Sequence, residues 1–294
     1  MFIDIHLHTV RRKGLPRDES GNNYATPEEL MGMMKKIGID KGILLPGTIP
    51  ECRKQFSTNE DILDVCARYP ERFVPFCSID PRAEGNSPMS NLSRQLLYYK
   101  KEGCKGVGEM TANLYFDDPL VQNLFKHCEK CEMPILFHIG PQIGNCYGLV
   151  DDLHLPRLEK SLKKFPQLIF IGHSQPFWSE ISGNVTDENR NTYPKGKVTS
   201  KGVVPRLMEK YPNLYGDISA GSGYNALTRD AEFGYRFIEK FQDKLFFGTD
   251  ISFPLYKPHQ AEFLRSAYKQ GYISKEVFEK ISWQNANRVL KLGL

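Results

Sequence analysis

The sequence predicts an α/β protein: a closed (β/α)8 TIM barrel in a single domain over residues 1–294. Three observations carry this reading: eight short apolar runs recur along the chain, helical patterns separate them, and no glycine-rich phosphate loop follows the first run. Alternating strand and helix patterns indicate parallel βαβ units, and eight of them close a barrel. An open doubly wound sheet would place a phosphate loop after its first strand.

The first strand is read at Phe2 to Leu7, followed by a polar loop rich in Arg and Gly. A helix then opens on Thr26 as N-cap, Pro27 in the first turn and Glu29 as capping-box acid. Leu30, Met33, Met34 and Ile37 form its apolar stripe, and Gly38 stops it. Strands two to five are expected at Gly42 to Leu45, Phe73 to Ile79, Gly106 to Glu109 and Pro134 to Ile139. Their helices fall near Asn59 to Arg68, Pro88 to Glu102, Asp118 to Lys130 and Pro156 to Phe165. The sixth strand is Leu168 to Gly172, the seventh Leu214 to Ile218 and the eighth Lys244 to Gly248. Helices near Pro205 to Tyr211, Asp230 to Phe241 and from His259 onward complete the pattern. The polar segment from Ser179 to Gly202 breaks the rhythm, and a long loop in that place suits a lid over a site.

Composition narrows the function classes. Hydrophobic content of 40% and charged content of 25% are ordinary for a globular protein. A net charge of +4 with Lys and Glu interleaved gives no case for nucleic acid. No apolar run is long enough to span a bilayer, and the first residues carry Asp4 and two histidines where a signal peptide would have its apolar core. A cytoplasmic location is expected. The seven cysteines show no framework of spacings, as reduced thiols would, and Cys128 and Cys131 lack the second pair a zinc knuckle requires.

Chemistry enters with the first strand. Asp4, His6 and His8 alternate there, so two imidazoles project to one side and can grip one cation. Alone, His-x-His is a weak signal. Glu109 ends the fourth strand, His138 the fifth, His173 the sixth, and Asp250 follows the eighth. All carboxyl ends of barrel strands share one rim, so His6, His8, Glu109, His138, His173 and Asp250 are expected to meet and hold a divalent metal. Imidazole with carboxylate suits zinc first, with manganese, iron or nickel also acceptable. His127 falls inside a helix and His154 and His259 in loops or helix starts, outside the ligand set, although the latter two follow rim-side strand ends within reach of a substrate.

This pattern of HxH on the first strand, an acid on the fourth, His on the fifth and sixth and Asp on the eighth resembles the amidohydrolase superfamily. LPRLEKSLKKFPQLIFIGHS, the GTD at Gly248 to Asp250 and the WQNANRVLKL tail look like its amidohydrolase-related (amidohydrolase 2) branch. The resemblance spans essentially the whole chain and implies a metal-dependent TIM-barrel hydrolase. Glu109 stands where many relatives have a carboxylated lysine, which leaves one or two metal ions open. Homo-oligomers are common among such relatives.

A bound divalent cation makes hydroxide available near neutral pH. Asp250 would accept the water proton and return it to a leaving group, while His173 would stabilise the developing oxyanion. The expected reaction is hydrolysis of an ester, lactone or amide bond in a small, anionic substrate. Candidate anion-binding groups are Arg11, Arg12 and Arg17 after the first strand and Arg82 after the third. Gln175 and Trp178 are expected to wall the pocket beyond His173, and Tyr224 lies in the loop after the seventh strand beside Asp217 and Ser219, whose roles the sequence does not assign.

Three other readings compete. A mononuclear decarboxylase of a carboxylic acid would use an arginine to anchor its substrate. A PHP-type phosphoesterase would close with Asp-x-His, where this chain has Asp250-Ile-Ser. A barrel that binds metal without turnover would keep the ligands but not the pocket.

Overall fold

A computed structural model describes residues 1–52 and 54–294. Among these described residues nine parallel strands form in chain order: β1 (Ile3–Leu7), β2 (Lys41–Leu44), β3 (Phe73–Pro75), β4 (Val107–Met110), β5 (Ile135–Gly140), β6 (Leu149–Val150), β7 (Phe170–His173), β8 (Leu214–Asp217) and β9 (Leu245–Phe246). They pair as β1-β2-β3 and β4-β5-β7-β8-β9, with β6 beside the end of β5.

Backbone hydrogen bonds join the two sheets at both seams. Cys77 N donates to Gly106 O (3.0 Å) and Gly108 N to Cys77 O (2.9 Å), linking the β3 and β4 segments. Ile5 N donates to Phe247 O (3.1 Å) and Asp250 N to His6 O (2.9 Å), linking the β9 segment to β1. The eight expected strands are thus joined at both seams of a barrel.

The helices begin and end for local reasons. In Pro27–Ile37 the Thr26 and Glu29 side chains cap each other's backbone N–H groups, and Gly38 closes the helix at φ 77°. Leu30 and Met34 of that helix are buried with Leu7 and Leu44 in the large cluster shared by strands and helices. A smaller cluster of Ile3, Ile5, Ile43, Leu45, Phe76, Leu136, Ile171 and Phe246 includes Ala286, Val289 and Leu290 near the carboxyl terminus. Side chains fill the barrel, so reactive groups have room only at its ends.

Several boundaries differ from the sequence expectation. β3 is regular only over Phe73–Pro75, although Phe76 N and Cys77 N still bond Leu44 O and Gly106 O beyond it, and the eighth strand shortens to Leu245–Phe246. The helix expected from Pro88 begins at Ser93. β6 and the helices Gln175–Ser179 and Ala220–Thr228 were not expected; the first has only two residues and leaves no period to read. Beyond Ser179, which ends a helix, residues 180–202 have no regular structure but are tied down, with Arg190 Nη1 donating to Asp151 O (3.0 Å) and Val198 N to Asp230 Oδ2 (3.0 Å). Among the described residues, no helix is long and apolar enough to cross a membrane, and the seven cysteines form no disulfide.

Candidate metal centre

The strand-end residues converge. His6 Nε2 lies 3.1 Å from His8 Nε2, 3.6 Å from Glu109 Oε2 and 3.6 Å from Asp250 Oδ1. His8 Nε2 is 3.4 Å from Glu109 Oε2 and 3.5 Å from Asp250 Oδ1. A tetrahedral shell with bonds of about 2.0–2.2 Å has donor–donor edges of about 3.3–3.6 Å, and the separations of His6 and His8 from Glu109 and from Asp250 match such edges. Two donor groups emerge, His6–His8–Asp250 and His6–Glu109–His173, and they share His6.

Each ligand candidate is oriented by its neighbours. β1 carries an irregular register between Asp4 and Leu7, so the strict alternation expected there does not hold along the whole strand. Asp4 turns away from the cluster and accepts from Thr249 Oγ1 (2.6 Å) and Thr249 N (3.0 Å), fixing the turn that carries Asp250. Asp250 itself adopts φ 60°, a left-handed conformation that aspartate tolerates. Gly248 gives room beneath it: a Cβ there would meet Asp217 Oδ1 at 2.6 Å and Ser219 Cβ at 2.9 Å. His8 Nδ1 lies 3.2 Å from Leu45 O, which leaves Nε2 for a ligand.

Asp217 and Ser219, unassigned from sequence, are the residues that reasoning missed. Asp217 Oδ2 sits 2.6 Å from His6 Nδ1 and 3.2 Å from His173 Nδ1. Ser219 Oγ donates to Asp217 Oδ2 (2.8 Å) and lies 3.0 Å from His173 Nδ1. This is the carboxylate–histidine arrangement that fixes the tautomer and aim of a ligating imidazole. Asp217 ends β8, and that strand-end position was the available signal.

Electrostatics point the same way. Burial opposes charge on Asp217, yet His6 and His173 hold its carboxyl well below the usual carboxylate range. Burial likewise opposes ionisation of Glu109, but the His138, His6 and His8 imidazoles overcome it and lower its pKa. His6 is buried, which disfavours the imidazolium, but the Asp217 and Asp250 carboxylates prevail and raise its pKa well above the ordinary value. Several carboxylates crowd the buried imidazoles, a donor set whose excess negative charge a divalent cation would neutralise. The residues fit such an ion.

His138 Nδ1 bonds Glu109 Oε1 (2.8 Å), and its ring lies 4.5 Å from that of Tyr147. His138 also borders a cavity of about 670 Å³ lined by Glu51, Asn113, Cys146, Tyr147, Gln175 and Asn191. Asp250 keeps 30% of its side chain exposed, against 11% or less for the other candidates in ion pairs, so solvent reaches the cluster on its side.

The other sequence candidates scatter. Arg17 is brought close: its Nη1 donates to Ser252 Oγ (3.0 Å), two residues beyond Asp250, and its guanidinium lies over the Phe253 ring. Arg82 is engaged by Asp80 (2.8 Å) and Glu51 (3.0 Å). Arg11 is exposed and lies 3.5 Å from Asp64, and Arg12 is also exposed. Trp178 is buried, its indole N–H donating to Asp217 O (2.8 Å), so it supports the floor of the site and is not an open wall. Gln175 borders the cavity and donates to Tyr193 Oη (3.3 Å), while Tyr224 packs against His259. His127 is buried beside Ser93, and His154 pairs with Glu180.

Comparison with known proteins supplies the family. The amidohydrolase family model matches residues 3–292. An uncharacterized TIM-barrel protein from Bordetella bronchiseptica shares 19% identity at a TM-score of 0.65, covering 99% of this chain and 98% of its own. A probable 2-pyrone-4,6-dicarboxylic acid hydrolase from Acinetobacter baumannii, with citric acid bound, shares 16% at 0.60, covering 99% of each chain. A 5-carboxyvanillate decarboxylase from Sphingomonas paucimobilis shares 16% at 0.62, covering 99% and 98%. No curated protein matches the sequence. With its ligand-type residues gathered on one rim of a TIM barrel, the chain belongs to the amidohydrolase family and is an enzyme.

Proposed function

We propose that this enzyme hydrolyses an ester, lactone or amide bond in a small anionic substrate, using a water activated by one divalent cation, zinc foremost. The observation that carries the reading is the pair of donor groups, His6–His8–Asp250 and His6–Glu109–His173, that meet at His6, with Asp250 alone substantially open to solvent. When bound, the cation acidifies a water to a pKa near ~7.

The protein's own groups supply the remaining steps. Asp250 takes the proton of the attacking water and returns it to the leaving group. His173 is aimed through Nδ1 by Ser219 and Asp217, and in its imidazolium form its Nε2–H donates to the oxygen where negative charge develops. Arg17 is suited to hold a substrate carboxylate beside Asp250, since its partner there is a neutral hydroxyl. Asn113, Gln175 and Asn191 offer neutral amides along the cavity.

Decarboxylation is the second reading. The donor groups share His6 and describe one compact centre, and the names of three similar structures specify decarboxylases. Incubation in ¹⁸O-water with a panel of lactones, esters, amides and aromatic acids separates the two. Hydrolysis predicts ¹⁸O in the product carboxylate; carbon dioxide release with no label in the product would overturn it.

A further inference from the structure

A second cavity, of about 190 Å³, lies between the 179–202 segment and Arg229, which follows the helix Ala220–Thr228. Ser179, Ser182, Asn184, Asn189, Lys195 and Arg229 supply its polar lining, and no carboxylate is among the lining residues. Arg229 Nε and Nη2 and Ser179 Oγ are buried and have no hydrogen-bond partner. Buried donors in native proteins are nearly always matched, so an unmatched guanidinium beside a polar cavity points to a ligand that completes it.

The neighbouring groups are already committed elsewhere. The Asp230 carboxylate, next in sequence to Arg229, acts on the guanidinium through its charge but takes its hydrogen bonds from Val198 N (3.0 Å) and Phe233 N (3.4 Å). Asn184 Oδ1 accepts from Ser182 Oγ (2.7 Å) and Asn189 Oδ1 from Thr186 N (2.9 Å), which leaves both amide NH₂ groups to donate. Hydroxyl and amide donors flanking a guanidinium and an ammonium are the recognition chemistry of a tetrahedral oxyanion. The volume holds such an ion with a few waters, each of which occupies about 30 Å³.

We propose that this cavity binds a phosphate group, either inorganic phosphate or the phosphoryl end of a small metabolite, and that the bound anion fastens the 179–202 segment to the barrel. The same segment carries Asn191 to the wall of the larger cavity and Tyr193 to Gln175, so occupancy of the anion site reaches the substrate pocket.

The test is titration of the metal-loaded enzyme with inorganic phosphate and, separately, with glycerol phosphate, by calorimetry. The variants are Arg229→Leu, Lys195→Glu and His8→Ala, the last because phosphate also ligates divalent metals. The expected result is binding that is at least about tenfold weaker in Arg229→Leu and Lys195→Glu and retained in His8→Ala. If Arg229→Leu does not fold, Lys195→Glu, on an exposed side chain, decides alone. Tighter binding of glycerol phosphate identifies a metabolite's phosphoryl end, and equal or weaker binding identifies the free ion. No binding in the wild type, or binding lost only in His8→Ala, overturns the proposal.

Discussion

The strand ends and the loops beyond them behave differently. His6, His8, Glu109, His138, His173 and Asp217 sit at the carboxyl ends of strands or one residue beyond, and Asp250 lies on a turn tied back to β1; all are drawn into one polar cluster. Arg11, Arg12, Arg17 and Arg82 lie on loops, and only Arg17 reaches the vicinity of Asp250. A barrel dictates where a strand end goes, whereas a loop side chain follows whichever partner it finds. Reactivity in this enzyme should therefore be sensitive on the strand ends and uneven on the loops.

The largest effect is expected at Asp250. Replacing it with Asn keeps the shape but removes the proton acceptor, and kcat on a hydrolysed substrate should fall roughly 10²- to 10⁴-fold. Steady-state kinetics check this, and an unchanged kcat would remove Asp250 from the chemistry. Next comes Asp217→Asn, which leaves His6 and His173 without their orienting carboxylate. Metal affinity should drop about 10- to 100-fold, measured by competition with a chelating dye, and an unaltered affinity would make Asp217 a packing residue.

The loops should divide sharply. Arg17→Ala is expected to lower kcat/KM for an anionic substrate about 10- to 100-fold, through KM, by loss of a charged hydrogen bond. Arg11→Ala should change neither kinetics nor stability by more than about 0.5 kcal/mol, because its pairing is exposed. Equal effects from the two arginines would break the distinction.

The smallest effect concerns Asp151, whose carboxyl caps the helix Pro156–Lys164 through the Arg157 and Leu158 N–H groups. Burial pushes its pKa up to about 6, from 3.8. The folded state therefore holds a proton that the unfolded chain releases between those values, and stability falls as pH rises through that window. Asp151→Asn should flatten this slope in urea unfolding series between pH 4 and 7, and an unchanged slope would place the titration elsewhere.

How far the sequence could be read follows the same division. The capping box at Thr26 and Glu29, the Gly38 stop and the eight apolar runs are local signals with local causes, and they place the barrel. The ligand cluster followed from those strands plus one topological rule. Asp217 was named without a role because its function depends on sitting between two histidines far away in sequence, a contact no spacing encodes. Trp178 was expected as an open wall; the five-residue helix that buries it was too short to show a period. The engagement of Arg82 by Glu51 is equally tertiary, since Glu51 lies 31 residues away.

The central claim is that the strand-end cluster binds a catalytic cation. The most direct measurement is metal per chain by mass spectrometry after mild purification, for the wild type, Glu109→Ala and His8→Ala. This account predicts about one cation in the wild type, weakened retention in Glu109→Ala and loss in His8→Ala, because both side chains lie within ligand spacing of His6. A wild-type protein that retains no cation, and takes none up from zinc, manganese, iron or nickel solutions, would contradict it.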